Sequence, residues 1–209
     1  KTAPGTSRRK GTNMSSFLDT MLERAKADKQ TIVLPEGDDP RTLEAAETIL
    51  AQGVANLIIL GNVAAIKESG RALDGATLID PGDSDLHGEF ANTLYELRKH
   101  KGMTLEQAAE KVRDVLFFGV LMVKTGRADG MVSGACHSTG DVLRPSLQIL
   151  KTAPGVKLVS SFFIMVVPNC EYGQNGTFLF SDCGLEIQPD AEKLAHIAVN
   201  SAQSWKTLI

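Results

Sequence analysis

Ser133, Cys136, His137, Ser138, Thr139 and Arg144 crowd into one run, Asp-Gly-Met-Val-Ser-Gly-Ala-Cys-His-Ser-Thr-Gly-Asp-Val-Leu-Arg-Pro (129–145). Small side chains that expose backbone N–H groups, hydroxyls, a helix start and the planar donor fork of an arginine are the parts of an anion site. The spacing puts a short apolar strand (Met131, Val132) before a loop from Ser133 to Gly140, with the following helix entered through Arg144 and Pro145. The same small polar residues also build ordinary strand-to-helix connections, so the loop alone leaves both readings open.

A second cationic group stands in Arg98-Lys99-His100-Lys101. Positive charge at a helix end is favoured by the macrodipole, and a solvated cap is one reading. The other pairs Arg98 with Arg144, because a nucleotide-bearing ligand carries several phosphates. Cys170 follows a buried strand in Val-Pro-Asn-Cys-Glu-Tyr-Gly and reads as an unreactive thiol near a cleft, since no base is paired with it in the pattern. Cys136 and His137 are neighbours in sequence, which is unfavourable for facing one metal ion or forming a dyad, so His137 reads as a loop hydrogen-bonding group. Cys183 reads as structural, or as orienting the turn after it. Asp182, Glu36, Asp38 and Asp39 are candidate general bases by type, and turn or capping residues by position. Neither Gly-x-x-x-x-Gly-Lys-Ser/Thr nor Gly-x-Gly-x-x-Gly occurs, so the two common nucleotide fingerprints give no support.

The elements that must carry these residues alternate. Thr31–Leu34, Asn56–Leu60 and Thr77–Asp80 read as strands, with helical patterns at 41–52 and 63–69 between them. Strands joined by helices pair in parallel, which predicts a layered α/β/α domain with a mainly parallel sheet. Two long helices are expected at 85–100 and 104–125, the second capped by Thr104 with Gln107 in the capping-box position. A strand at 129–133 completes the unit, and Lys151-Thr152-Ala153-Pro154-Gly155 reads as a domain boundary. Beyond it, 157–167 reads as a buried strand, 177–181 as its neighbour, and 190–208 as a helix. The expected domains are therefore 14–153 and 154–209. Two strands and a helix cannot close a core, so the second domain is expected to be incomplete and the sequence truncated at its carboxyl-terminal end.

Composition narrows the function. Of 209 residues, 43% are hydrophobic and 22% charged, with a net charge of -3, which speaks against general nucleic-acid binding. A membrane span or secretory leader is not expected, and a cytoplasmic location is. Three cysteines without a Cys-x-x-Cys pair speak against a disulfide framework and a structural zinc site, and no metal site is expected. Residues 1–13 are basic and lack periodicity, and read as an appended tail. Their first five residues duplicate 151–155 letter for letter, for which there is no physical account.

Six ordered blocks together resemble the phosphate acetyl/butyryltransferase family, and within it phosphate acetyltransferase. They are Leu-Pro-Glu-Gly-Asp-Asp-Pro-Arg-Thr-Leu-Glu-Ala-Ala (34–46), Tyr-Glu-Leu-Arg-Lys-His-Lys-Gly (95–102), the 129–145 run, Lys-Thr-Ala-Pro-Gly (151–155), Val-Pro-Asn-Cys-Glu-Tyr-Gly (167–173), and Phe-Leu-Phe-Ser-Asp-Cys-Gly (178–184) with the helix after it. The resemblance implies a fold like that of isocitrate and isopropylmalate dehydrogenases, a homodimer, and reversible acetyl transfer between coenzyme A (CoA) and inorganic phosphate, with no permanently bound cofactor. It further implies that Arg98 binds CoA, that Arg144, with Ser133, Ser138 and Thr139, holds the cofactor or acyl group, and that Cys170 and His137 lie near the site. The family's base and phosphate-binding residues are expected beyond Ile209, so these 209 residues alone are expected to have little or no activity. Phosphate butyryltransferase is the alternative acyl-length relative. A non-catalytic ligand-sensing domain, as in malic enzymes, is the alternative of another class. A non-enzymatic dimerising piece has no positive sequence support.

Overall fold

A computed structural model describes residues 14–209; the expected tail at 1–13 lies outside them. The elements are α1 (Met14–Ala27), β1 (Thr31–Leu34), α2 (Pro40–Gln52), β2 (Asn56–Leu60), α3 (Val63–Glu68), β3 (Thr77–Ile79), α4 (His87–Arg98), α5 (Leu105–Lys111), α6 (Val115–Lys124), β4 (Gly130–Met131), α7 (Thr139–Ile149), β5 (Phe162–Val166), β6 (Thr177–Ser181) and α8 (Ala191–Leu208). Two compact units divide between Lys151 and Thr152, the first beginning at Leu22 and the second, Thr152–Ile209, also taking in residues 14–21. None of the described helices is long and apolar enough to cross a membrane.

The first unit holds a four-stranded sheet in the order β3-β2-β1-β4, every pairing parallel, as the strand–helix alternation predicts. Successive side chains in a strand point to opposite faces, and both faces are buried here. Leu34, Leu57 and Ile59 join Leu43, Ala46 and Ile66 of α2 and α3 on one side. Val33, Ile58 and Leu60 join Phe90 and Leu94 of α4 and Phe117, Phe118 and Leu121 of α6 on the other. This is the expected three-layer α/β/α arrangement. Phe90 and Phe118, both fully buried, meet edge to face with centroids 4.8 Å apart.

Three expectations are corrected. The single helix at 104–125 is two, because Asp114 accepts from the N–H groups of Leu116 and Phe117 and starts α6 afresh. The Thr104–Gln107 capping box does open α5. The helix carrying Arg144 begins at Thr139, capped by a Ser138–Asp141 box, so Pro145 lies inside it. In the second unit β5 pairs antiparallel with β6, but Phe162, Phe163 and Met165 are exposed, so β5 is not the buried strand its composition suggests.

Candidate functional site

β1 is the strand at which the order of the sheet reverses: β2 and β3 lie to one side of it, β4 to the other. In open parallel sheets, ligand sites form outside the carboxyl ends of the strands at such a point. The loops leaving β1 and β4 carry Glu36 and the Ser133–Ser138 run.

Glu36 is 5% exposed and binds these two loops together. Its Oε2 accepts from the N–H groups of Gly134 (2.9 Å) and Ala135 (2.8 Å). Its Oε1 accepts from the N–H groups of Cys136 and His137 (both 3.0 Å) and from His137 Nδ1 at 2.8 Å. Burial opposes ionisation of Glu36, and these hydrogen bonds outweigh it, holding the carboxyl far below the ordinary range. Arg41 adds a second tie. Its guanidinium grips Asp39 through two hydrogen bonds (3.0 and 2.7 Å), and Nη2 also donates to the carbonyl of Ala135 at 2.5 Å.

The backbone N–H groups of 134–137, expected to cradle an anion, are therefore already taken by a carboxylate of the protein itself. The four candidate bases are likewise committed. Asp39 caps α2, Asp38 accepts from Asn62 N–H, and Glu36 holds the loop. In the second unit Asp182 accepts from the N–H and hydroxyl of Ser161 and from the N–H groups of Gly184 and Leu185. Burial opposes ionisation of Asp182 too, and those bonds overcome it. Cys183 sits beside the same turn, its Sγ 3.4 Å from Ser161 Oγ.

Ser138 spends its hydroxyl on the capping box, donating to Asp141 at 2.7 Å, and Thr139 opens α7. Ser133 Oγ is buried without a partner among the described residues and lines a cavity of about 370 Å³ with Leu34, Glu36, Arg41 and Thr42. Cys136 and His137, expected to point apart, converge on Glu36. Cys136 is exposed as a residue, but desolvation at its sulfur and then the hydrogen bond to Glu36 push the thiol up, which does not suit a nucleophile.

Arg144 projects from α7 with 64% of its side chain exposed, 3.6 Å from Asp141. Arg98 ends α4, which packs against α7. Its Nε is buried with no partner among the described residues, and it forms no ion pair there. Cys170, a free thiol in the second unit, lies in the connection between β5 and β6. The composition of 129–145 led to the loop but not to its clamp. The available signal was a carboxylate one proline beyond a buried parallel strand, followed by a glycine.

A parallel sheet covered by helices on both faces, with clamped loops at its switch point, defines a three-layer α/β protein. Residues 16–209 match the family model described as "Phosphate acetyl/butaryl transferase". Phosphate acetyltransferases of Thermoanaerobacterium thermosaccharolyticum and Acetivibrio thermocellus are each 54% identical, the match covering 93% of this chain and 60% and 59% of theirs. Among solved structures, the EutD phosphotransacetylase from Staphylococcus aureus superposes with a TM-score of 0.83 and a phosphotransacetylase from Streptococcus pyogenes with 0.85. Both are 38% identical, and each match covers 94% of this chain and 59% or 60% of the other. The protein belongs to the phosphate acetyl/butyryltransferase family, and it spans about 60% of the length of these relatives.

Proposed function

We propose that this protein transfers an acetyl group reversibly between CoA and inorganic phosphate, giving acetyl phosphate, and that Arg98 and Arg144 bind the CoA side of the reaction. The observation that carries the site is Arg98. A buried guanidinium nitrogen without a partner is costly, and an anionic ligand relieves that cost. Arg144, on the helix packed against α4, offers an exposed planar donor fork of the kind that pairs with phosphate. Ser133, with its unpartnered buried hydroxyl, and Thr139 complete the proposed contacts, and His137 shapes the same loop. Cys170 is assigned no chemical step.

The names of the relatives support acetyl over longer acyl groups. The same reading makes the protein a cytoplasmic homodimer that takes acetyl-CoA and phosphate as substrates and keeps no cofactor bound. Two measurements test it. Calorimetry should show CoA binding to the wild-type protein, and phosphate-dependent release of thiol from acetyl-CoA should exceed that from butyryl-CoA in the active enzyme. No CoA binding, or thiol release indifferent to phosphate, overturns the reading.

A further inference from the structure

We propose that Glu36, Cys136 and His137 form a binding site for a thiophilic divalent cation of the zinc class. Cys136 Sγ lies 3.5 Å from Glu36 Oε1 and 3.6 Å from His137 Nδ1, and Nδ1 lies 2.8 Å from Oε1. Zinc bonds of about 2.0–2.3 Å put tetrahedral ligand atoms roughly 3.3–3.7 Å apart. Two edges of the triangle already have that length. The third opens by about half an ångström once an ion replaces the proton between nitrogen and oxygen.

The donor set selects the ion. One thiol, one imidazole and one carboxylate suit zinc, whereas magnesium and calcium require oxygen ligands throughout. Oε1 is approached by four donors, more than its two lone pairs hold well. The two backbone N–H groups can stay while the ion displaces the thiol and ring hydrogens. Asp39 is paired with Arg41 at 2.7 Å, so these two flanking groups cancel in charge. Two carboxylates and a thiolate against one guanidinium leave a charge of about -2, which matches a divalent ion. Cys136 is exposed, so the site is open to solvent and its fourth position falls to water.

The proton balance is defined. The thiol loses its proton to solvent, and the imidazole stays neutral by carrying its hydrogen on Nε2 instead of Nδ1, so each ion bound releases one proton. This proposal stands apart from the acyltransferase reading, because it concerns only the affinity of the protein for metal.

The test is titration of the 209-residue protein with Co²⁺ alone, followed in the ultraviolet and visible, and with Zn²⁺ by calorimetry in two buffers of different ionisation enthalpy. One equivalent should bind, with a thiolate-to-cobalt charge-transfer band and one proton released. Cys136→Ser should abolish the band, His137→Ala should weaken binding by at least about tenfold, and the Cys170→Ser/Cys183→Ser pair should keep it, all with unchanged circular dichroism. Cobalt bound without that band, a band surviving Cys136→Ser, or one lost in the Cys170/Cys183 pair overturns the assignment.

Discussion

Glu36 Oε1 accepts a hydrogen bond from His137 Nδ1 at 2.8 Å across 101 residues of sequence. A carboxylate held ionised can only accept, so the imidazole carries its proton on Nδ1. Four consecutive N–H groups arrive at the same carboxylate, which makes it the fixed point of the loop after β4. Glu36→Gln replaces one acceptor oxygen with an NH₂ that faces those donors. The expected loss is about 2–4 kcal/mol, read from the urea midpoint of the variant against wild type. An unchanged midpoint removes the clamp.

Acid should weaken the fold through Glu36 and Asp182. Both folded carboxyls lie below their unfolded values of about 4.3 and 3.9, because their hydrogen bonds outweigh burial. The stabilisation from each is complete above the unfolded value and is lost as pH falls toward the folded one. Wild type should therefore lose stability progressively below about pH 4. The gap between wild type and Glu36→Gln should narrow over the same range, and a gap that stays constant down to about pH 2 contradicts this account.

Gly37 follows the clamp and cannot carry a side chain. Its N–H donates to the carbonyl of Leu60 at 2.9 Å, and a Cβ built there would lie 2.6 Å from that same oxygen and 2.8 Å from side-chain atoms of Ile59 and Ile66. Gly37→Ala must push β1 and β2 apart at their carboxyl ends, for an expected cost of about 1–3 kcal/mol. Thermal unfolding measures it, and a variant as stable as wild type would show that the backbone gives way freely.

These contacts mark what sequence can and cannot reveal. The runs around Val33–Leu34 and Ile58–Ile59 are apolar toward both cores, and the helical patterns between such runs are local, so the parallel sheet and its layers were legible. So was the Thr104–Gln107 capping box, which closes within one helical turn. The Glu36 clamp joins residues about a hundred positions apart, and no local pattern encodes that distance. Asp114 was hidden because an apolar run looks the same whether one helix or two cross it. The exposure of β5 is not encoded in its composition, because an apolar run shows that a strand could be buried and only the surrounding elements decide whether it is.

The first unit's helical layer should depend on Phe118. It is fully buried and meets Phe90 edge to face. Phe118→Ala removes that contact and leaves a cavity beneath α6, an expected loss of about 3–5 kcal/mol in chemical denaturation. Phe118→Leu should recover most of it, since the volume is largely restored.

Arg98 and Arg144, the proposed CoA-binding pair, should separate binding from stability. The buried Nε of Arg98 has no partner among the described residues, so the fold already bears its desolvation. Arg98→Ala should therefore unfold at a temperature equal to or above that of wild type, while CoA binding weakens by about 10–100-fold, the worth of one charge-assisted contact. Arg144 is exposed and paired only loosely with Asp141, so Arg144→Ala should also leave stability unchanged within about 0.5 kcal/mol and weaken CoA binding. Arg144→Lys keeps the charge but loses the planar fork, and should not restore affinity. Calorimetry with CoA, run beside thermal unfolding, distinguishes these roles. Equal CoA affinity in all three variants removes both arginines from the site, whereas a marked fall in stability with Arg98→Ala would make that residue a structural one.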